Sequence, residues 1–398
     1  MIDVAKINAD VFLSIIQSFT LLVIYYYFSI KLVKKSYINL YSFNLFFLYH
    51  NIITIFFIVY TITNVADSYT VYFISQINEF NSEDQISMLN KNWEIGRGAS
   101  ILLVHFIYSV FRFTYPTMII LYGLISFSGM AVLYGLVHKF IYKYKIDNFK
   151  YLLLFFYFPS LHFWSVSLSK DAIIIFSICL FLFSILNIRK YYFYLLISMI
   201  CMSIFRPYIG VFFIFGLFLN HIFFSNIFTK FNLLRIIFLF SLTFLFVIFL
   251  FISMKYIGLE PKLILQPSVL ISNVNEILDQ GKSVAQTQAG YIEKSPYNLI
   301  PNYFIYLFYP INIFHQNSLY ILSSFENIFL ILFFILLGYY KNFKKLINLD
   351  YIFLILFILI LTILSVRTMN YGISVRQKWM ILPILYIFFI NKKKIKND

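Results

Sequence analysis

The chain has 398 residues, of which 61% are hydrophobic and 12% charged. Soluble domains carry about 25% charged residues, so this composition excludes a soluble enzyme or binding module. The formal net charge of +15 does not indicate nucleic acid, because the lysines stand in short clusters between apolar runs, as orientation in a membrane requires. The sequence therefore predicts an integral membrane protein with a single membrane domain over residues 1–398.

Apolar runs of about 20 residues, the length that a helix needs to cross a bilayer, recur along the chain. They predict an all-α fold with about 11 transmembrane helices. The runs lie near residues 11–30, 39–64, 114–138, 151–168, 172–188, 191–205, 208–228, 233–256, 318–340, 351–366 and 379–391. We expect residues 100–111 to form a short or interfacial helix. Residues 301–314, which Pro310 breaks, are expected to dip into the membrane without crossing it.

The connections between these runs differ in charge. Clusters of lysine occupy alternate connections, and the positive-inside rule assigns them to the cytoplasm. With the spans crossing the membrane in alternate directions, the N-terminus is expected outside and the C-terminus in the cytoplasm. Two long loops, 65–99 and 257–300, then lie outside, carry most of the acidic residues and are expected to contain short helices.

Most of the arginines fall on the outer side, where the positive-inside rule does not favour them. They are Arg97, Arg112, Arg206, Arg367 and Arg376. Arginine binds phosphate and carboxylate groups through a planar fork of donors. The pattern indicates a site for an anionic substrate carried by the membrane, although Arg97 and Arg112 could equally be ordinary loop residues.

Lys170 and Asp171 stand side by side at the seam between two apolar runs. A charge at the centre of a membrane helix costs about 2.5–3.5 kcal/mol on insertion scales, so such a residue usually has a partner or a function. Asp171 suits an N-cap, where its carboxylate accepts backbone N–H bonds and meets the positive end of the helix dipole. Lys170 would then point toward a phosphate or toward a carboxylate such as that of Glu326.

Several familiar motifs are missing. No Asp-x-Asp pair is present for metal-held nucleotide-sugar chemistry, and the six histidines show no metal-ligand spacing. Gly281-Lys282-Ser283 lacks the earlier glycine of a phosphate-binding loop. We therefore expect neither a metal nor a cofactor. His162, near the outer end of an apolar run, is either a packed core residue or part of a site.

Two segments carry a family resemblance. They are Phe158-Pro159-Ser160-Leu161-His162-Phe163-Trp164-Ser165 with the following Ser169-Lys170-Asp171, and Arg206-Pro207-Tyr208. They resemble the P-S-x-x-F-W-S-x-x-x-x-K-[DE] and R-P-[HY] segments of polytopic proteins of bacterial surface-polysaccharide biosynthesis. Weaker matches occur in order along the chain at Asp67-Ser68-Tyr69, Tyr72, Trp93, Gly96, Asn302, Pro310, Glu326, Asn370, Gly372, Arg376 and Pro383. The chain departs from that pattern at Ser169, where glycine is usual, and at Tyr208, where histidine is frequent.

The resemblance implies a Wzy-type polymerase of O-antigen or exopolysaccharide repeat units, or a related C-type membrane glycosyltransferase, in the bacterial cytoplasmic membrane. Such an enzyme joins undecaprenyl-diphosphate-linked oligosaccharides on the outer face of that membrane without a metal. The implied partners are the lipid-linked oligosaccharide, the lipid bilayer and a chain-length regulator protein.

For this reaction we expect cations to bind the diphosphate, because fixed positive groups stabilise the charge that develops on a leaving group. The candidates are Lys170, Arg206, Arg367, Arg376 and Lys378. A carboxylate would act as general base, with Asp67 as first choice, followed by Asp171 and Glu326. The candidate sugar contacts are Trp164, Tyr208 and His162.

A flippase or transporter of the same lipid-linked oligosaccharides is the main alternative, because it also needs cations and an aqueous cavity. It would more naturally carry charges within the spans of both halves and an internal repeat, which the sequence does not show. A non-catalytic scaffold for polysaccharide assembly would not need arginines gathered on one face.

Overall fold

The computed structural model describes residues 4–33, 39–64, 67–76, 97–143, 153–185, 188–224, 298–311, 318–340 and 348–389, with the single positions 244 and 247. Every regular element named within these ranges is a helix, which confirms the predicted all-α class. By clustering of its internal contacts, the chain divides into two compact units, Met1–Arg206 and Pro207–Asp398.

The first unit contains eight of the described helices. They are α1 (Val4–Val33), α2 (Leu40–Asn64), α3 (Asp67–Gln76), α4 (Arg97–Phe111), α5 (Tyr115–Lys143), α6 (Pro159–Ser165), α7 (Lys170–Ile185) and α8 (Ile188–Phe205). Helix α7 lies at the centre of this unit, since almost all of its side chains are buried and it packs on both α5 and α8. Helices α5 and α7 approach each other closely at Gly129. A Cβ atom added to this glycine would lie 2.7 Å from the Cα atom of Phe176 on α7. Small residues allow such close packing of apolar helices.

A row of hydroxyl groups ties α1 to α5. Ser14 donates a hydrogen bond to Thr114 at 2.8 Å, and the hydroxyl groups of Tyr25 and Ser128 lie 2.8 Å apart. Between them Ser18 bonds with Thr117 at 3.1 Å. Polar side chains of this kind hold helices together in lipid, where burial of apolar surface between helices gives little driving force.

Helices α6 and α7 form a sharply broken pair. They are bent by 116° across residues 166–169, and a 3₁₀ turn over residues 153–157 precedes α6. The predicted span at 151–168 is therefore not one continuous helix. A proline at the start of α6 and the non-helical residues 166–169 limit that helix to seven residues.

Three described helices are long and apolar enough to cross a membrane: Val11–Lys31, Leu40–Asn64 and Tyr115–Lys139. The broken pair α6 and α7 would be a fourth if it acts as one span. The predicted number of about 11 spans is thus not confirmed, although these and several shorter apolar helices indicate a membrane protein. The predicted span 233–256, apart from two isolated positions, lies outside the described residues, as do positions 77–96 and 257–297 of the two long loops.

The second unit contains five described helices. They are α9 (Pro207–Phe224), α10 (Leu299–Phe308), α11 (Ser318–Tyr340), α12 (Asn348–Arg367) and α13 (Tyr371–Phe389). Helices α12 and α13 form a hairpin on which α10 packs. The side-chain oxygen of Asn370 accepts hydrogen bonds from the backbone N–H groups of Gly372 at 2.9 Å and Ile373 at 3.3 Å, which caps α13. Helix α10 ends at Phe308, two residues before Pro310, where the sequence predicted a break.

Candidate functional site

An ion pair joins the start of α7 to the end of α8. Arg206 donates a hydrogen bond from Nη2 to Oδ1 of Asp171 at 2.7 Å, and the two side chains are 2% and 0% exposed. Asp171 lies in the first turn of α7, where a carboxylate also meets the positive end of the helix dipole. Removal of one partner from a buried pair costs about 3–5 kcal/mol, because the other charge is left uncompensated.

Three serine hydroxyls form a chain that ends on the same carboxylate. Ser169 donates to Oδ2 of Asp171 at 3.2 Å, so its single proton is committed. Ser167, 2.8 Å from Ser169, must then donate to Ser169, and Ser68, 2.9 Å from Ser167, must donate to Ser167. Every hydroxyl in the chain therefore points its proton toward Asp171, which stabilises the ionised carboxylate.

The same hydroxyls satisfy the non-helical backbone at the break. Ser68 accepts the N–H of Leu168 at 3.2 Å, and Ser167 accepts the N–H of Ser169 at 3.2 Å. Non-helical backbone at membrane depth is tolerated only where protein or a polar cavity satisfies it. The serine chain thus explains how an apolar unit accommodates residues 166–169.

Two charged candidates lie beside this network. Asp67 is the first residue of α3 and is exposed, and it directly precedes Ser68. Lys170, half-buried, directly follows Ser169. Because Ser68 bonds to the segment that leads into Lys170, the start of α3 and the start of α7 lie at the same corner of the first unit.

The predicted sugar contacts are placed in different surroundings. His162 is fully buried; its Nε2 donates to the carbonyl of Phe156 at 2.5 Å, and its Nδ1 lies 2.8 Å from Nδ1 of His50. Both ring nitrogens of His162 therefore face protein groups in this structure. Trp164 is half-buried and packs edge-on against Phe163, with ring centroids 5.0 Å apart. Tyr208 is buried in the first turn of α9.

A second buried polar cluster lies in the other unit. Lys378 on α13 is 1% exposed, donates a hydrogen bond from Nζ to Oδ1 of Asn327 and interacts electrostatically with Glu326. Asn327 in turn donates from Nδ2 to the carbonyl of Pro310 at 2.8 Å. Helices α11 and α13 and the segment that follows α10 are thereby joined through polar groups.

The remaining arginine candidates occupy helix ends or partly buried positions. Arg376 is half-buried on α13, and Arg367 is the last residue of α12. Arg112 has a positive φ of 50° and its N–H bonds to the carbonyl of Tyr108 at 2.8 Å. This is a left-handed cap at the end of α4, which favours the ordinary-loop interpretation of Arg112.

Sequence reasoning missed several residues of these clusters. Ser68 and Asn327 are the direct neighbours of Asp67 and Glu326, so the family resemblance marked their position although not their contacts. His50 gave no signal, because its partner lies 112 residues away in the chain. The diphosphate, base and sugar roles assigned from sequence stay predictions.

Among the residues that the structure describes, no group of three or more His, Cys, Asp or Glu side chains is arranged to hold a metal ion. Comparison with known proteins gives no further assignment: no protein-family model, characterised protein or solved structure matches the chain.

Proposed function

We propose that the protein is a membrane glycosyltransferase that joins undecaprenyl-diphosphate-linked oligosaccharide repeat units on the outer face of the bacterial cytoplasmic membrane. One observation carries the proposal. The two segments that resemble the polysaccharide polymerases, Ser169-Lys170-Asp171 and Arg206-Pro207-Tyr208, meet through the buried Asp171–Arg206 ion pair. Segments that are distant in sequence and share both a resemblance and a contact are expected to serve one site.

The buried contacts refine the roles of the candidate residues. Arg206 is engaged with Asp171 inside the first unit, so we assign both to holding the helix break in shape. We assign diphosphate binding to Lys170, half-buried at the start of α7, since the helix dipole adds positive potential there. Diphosphate binding by Arg367, Arg376 and Lys378 stays a prediction.

The general base is assigned on similar grounds. Asp171 and Glu326 are both buried, at 0% and 6% exposure. Asp67 is exposed at the start of α3, so an acceptor hydroxyl could reach it. We therefore retain Asp67 as the base.

The proposed reaction is a glycosyl transfer. The oxygen of an acceptor sugar hydroxyl forms a bond to the anomeric carbon of the donor chain, and the bond from that carbon to the diphosphate oxygen breaks. Asp67 takes the hydroxyl proton, and undecaprenyl diphosphate leaves with the bonding electron pair. Lys170 stabilises the negative charge that develops on the diphosphate.

Complementation of a deletion strain tests the proposal. We expect Asp67→Asn to reach the membrane and to leave single repeat units on the cell surface without long chains. Asp147→Asn is the matched control, because Asp147 lies in a predicted cytoplasmic connection. Normal chain lengths in the Asp67→Asn strain would refute the assignment of the base.

The flippase alternative is supported by one observation, since buried charged groups occur in both units, at Asp171–Arg206 and at Glu326–Lys378. The same strains distinguish it from a polymerase. Loss of a flippase would make lipid-linked units accumulate on the cytoplasmic face, whereas loss of a polymerase leaves single units displayed outside.

A further inference from the structure

His50 and His162 form a contact in which all four ring nitrogens have partners. The two Nδ1 atoms lie 2.8 Å apart. Nε2 of His50 lies 2.9 Å from the carbonyl oxygen of Gly123, and Nε2 of His162 lies 2.5 Å from that of Phe156. Both rings are fully buried, so water does not supply alternative partners.

The contacts of the two rings together require three ring protons. A carbonyl oxygen only accepts hydrogen bonds, so each Nε2 must carry a proton. The Nδ1–Nδ1 contact needs a third proton, because two bare lone pairs at that distance repel each other. Two neutral imidazoles carry only two ring protons between them. The observed contacts are satisfied together only by one imidazole and one imidazolium.

A metal ion does not fit between the rings. Two nitrogens that share a zinc ion at about 2.0–2.1 Å each lie roughly 3.3 Å apart in a tetrahedral site. The separation of 2.8 Å is shorter than this and falls within the range of a hydrogen bond. A proton is therefore the ligand that the gap accommodates.

Aromatic rings surround the pair. The rings of Tyr49 and Phe46 lie 5.0 Å and 5.4 Å from that of His162, centroid to centroid, and Phe127 lies 5.2 Å from His50. Burial opposes a positive charge, whereas aromatic rings within about 6 Å can stabilise one. The three hydrogen bonds favour the positive charge and act against this cost.

Among the residues that the structure describes, the elements packed around the pair carry tyrosines and, on α7, two charged residues. The tyrosines come from α1, α2, α5 and the 3₁₀ turn: Tyr25, Tyr49, Tyr134 and Tyr157. Tyrosines stay neutral below about pH 9. On α7, which packs on α6, Asp171 is paired with Arg206 and Lys170 is half-buried. The ring nitrogens of the histidines bond to none of these groups.

We infer that His50 and His162 form a proton-binding site that holds one shared proton between their Nδ1 atoms and clamps α6 to α2 and α5. His50 belongs to α2, Gly123 to α5 and His162 to α6, so the His50–His162 and His50–Gly123 bonds fix the first arm of the broken helix pair. Loss of the shared proton would leave two lone pairs facing each other and weaken this attachment. The site does not depend on the proposed glycosyl transfer.

Solid-state NMR of the full chain, labelled with ¹⁵N-histidine and reconstituted in lipid vesicles, tests the site directly. At about pH 7.5, above the usual titration of histidine, we expect protonated Nε2 on both rings and a through-space correlation between their Nδ1 atoms with one proton bridging them. His50→Gln and His162→Gln identify the signals. Two neutral rings with bare Nδ1 atoms would overturn the inference.

The pH dependence of thermal unfolding provides a second test. Unfolded histidines release their protons near about pH 6.5, whereas the folded pair keeps one. Above that pH the folded state binds more protons than the unfolded state, so stability must fall as pH rises. The melting-temperature difference between wild type and the His50→Gln/His162→Gln variant should therefore peak near about pH 6.5 and then decline.

A neutral pair gives a different profile. Its folded state binds no extra proton, so the difference in melting temperature would rise to about pH 6.5 and then stay level. A level profile would refute the shared proton. His105→Gln is the matched control, because His105 bonds to the carbonyl of Ser75 instead. The difference in melting temperature between this variant and the His50→Gln/His162→Gln variant should still show the peak.

Discussion

Arg206 and Asp171 are 35 residues apart in the chain and 2.7 Å apart in the structure. This contact joins the segment Ser169-Lys170-Asp171 to the segment Arg206-Pro207-Tyr208. Arg206 directly follows α8, and Asp171 lies in the first turn of α7, so the pair connects the end of one helix to the start of its neighbour.

Charge removal at one side of this pair should destabilise the protein more than removal at both sides. We expect Arg206→Met to lower the free energy of unfolding by about 3–5 kcal/mol, since Asp171 is left as an uncompensated buried charge. The double variant Arg206→Met/Asp171→Leu should recover much of that loss. Thermal unfolding in detergent measures both. Equal stability of the single and double variants would contradict a direct pair.

The serine chain predicts that Ser68 contributes more to stability than Ser169 does. Ser68→Ala removes the acceptor for the N–H of Leu168 as well as a link of the chain, and we expect a loss of about 1–3 kcal/mol in stability. Ser169→Gly removes one hydroxyl and should cost about 0.5–1.5 kcal/mol. Ser109→Ala is the control, since that exposed hydroxyl bonds only within its own helix. Chemical unfolding of purified variants would reveal a reversed order.

Asn327 predicts a stability effect confined to the second unit. Asn327→Leu removes the acceptor for Lys378 and the donor to the carbonyl of Pro310, which should cost about 2–5 kcal/mol because a buried charge loses a partner. Asn51→Leu is the control, since that amide bonds to its own helix. Hydrogen exchange should show faster exchange in α11 and α13 but not in α5 and α7. Uniform changes across both units would contradict the prediction.

The close approach of α5 to α7 predicts intolerance of a single methyl group. Gly129→Ala would place Cβ at 2.7 Å from Phe176 Cα and 2.9 Å from its carbonyl oxygen, and backbone cannot move aside as a side chain can. We expect a loss of about 1–3 kcal/mol. Ala131→Leu, at a half-buried position of the same helix, should be milder. A stable Gly129→Ala variant would show that the helices lie further apart.

Apolar runs predicted the long helices well. The predicted spans 11–30, 39–64 and 114–138 coincide closely with α1, α2 and α5, since a continuous apolar run of this length is sufficient for a helix. The run at 151–168 is equally apolar but is broken. Its short helix begins at Pro159, and its non-helical end is satisfied by Ser68, about 100 residues earlier. Hydropathy does not register such a distant contact.

Only part of the candidate site was predicted from the sequence, because contacts between distant residues leave no local signal. The sequence predicted Asp171 as the N-cap of a helix that begins at residue 172, but the helix begins earlier, at Lys170, and Asp171 lies within its first turn. Its partner Arg206 could not be deduced, because a partner that is not local is fixed only by packing. The sequence also predicted that Lys170 points toward a phosphate or toward a carboxylate such as that of Glu326. The structure gives Glu326 an electrostatic partner in Lys378.

The burial of α7 separates its charged first turn from the lipid. Since α5 and α8 cover this helix and its side chains are almost all buried, lipid acyl chains do not surround it. Most of the apolar side chains described between residues 11 and 31 of α1 are exposed, with Phe12 at 73% and Phe19 at 67%. A change of bilayer thickness should therefore act on the tilt of α1, while the polar network at Asp171 keeps its geometry across membranes of different lipid composition.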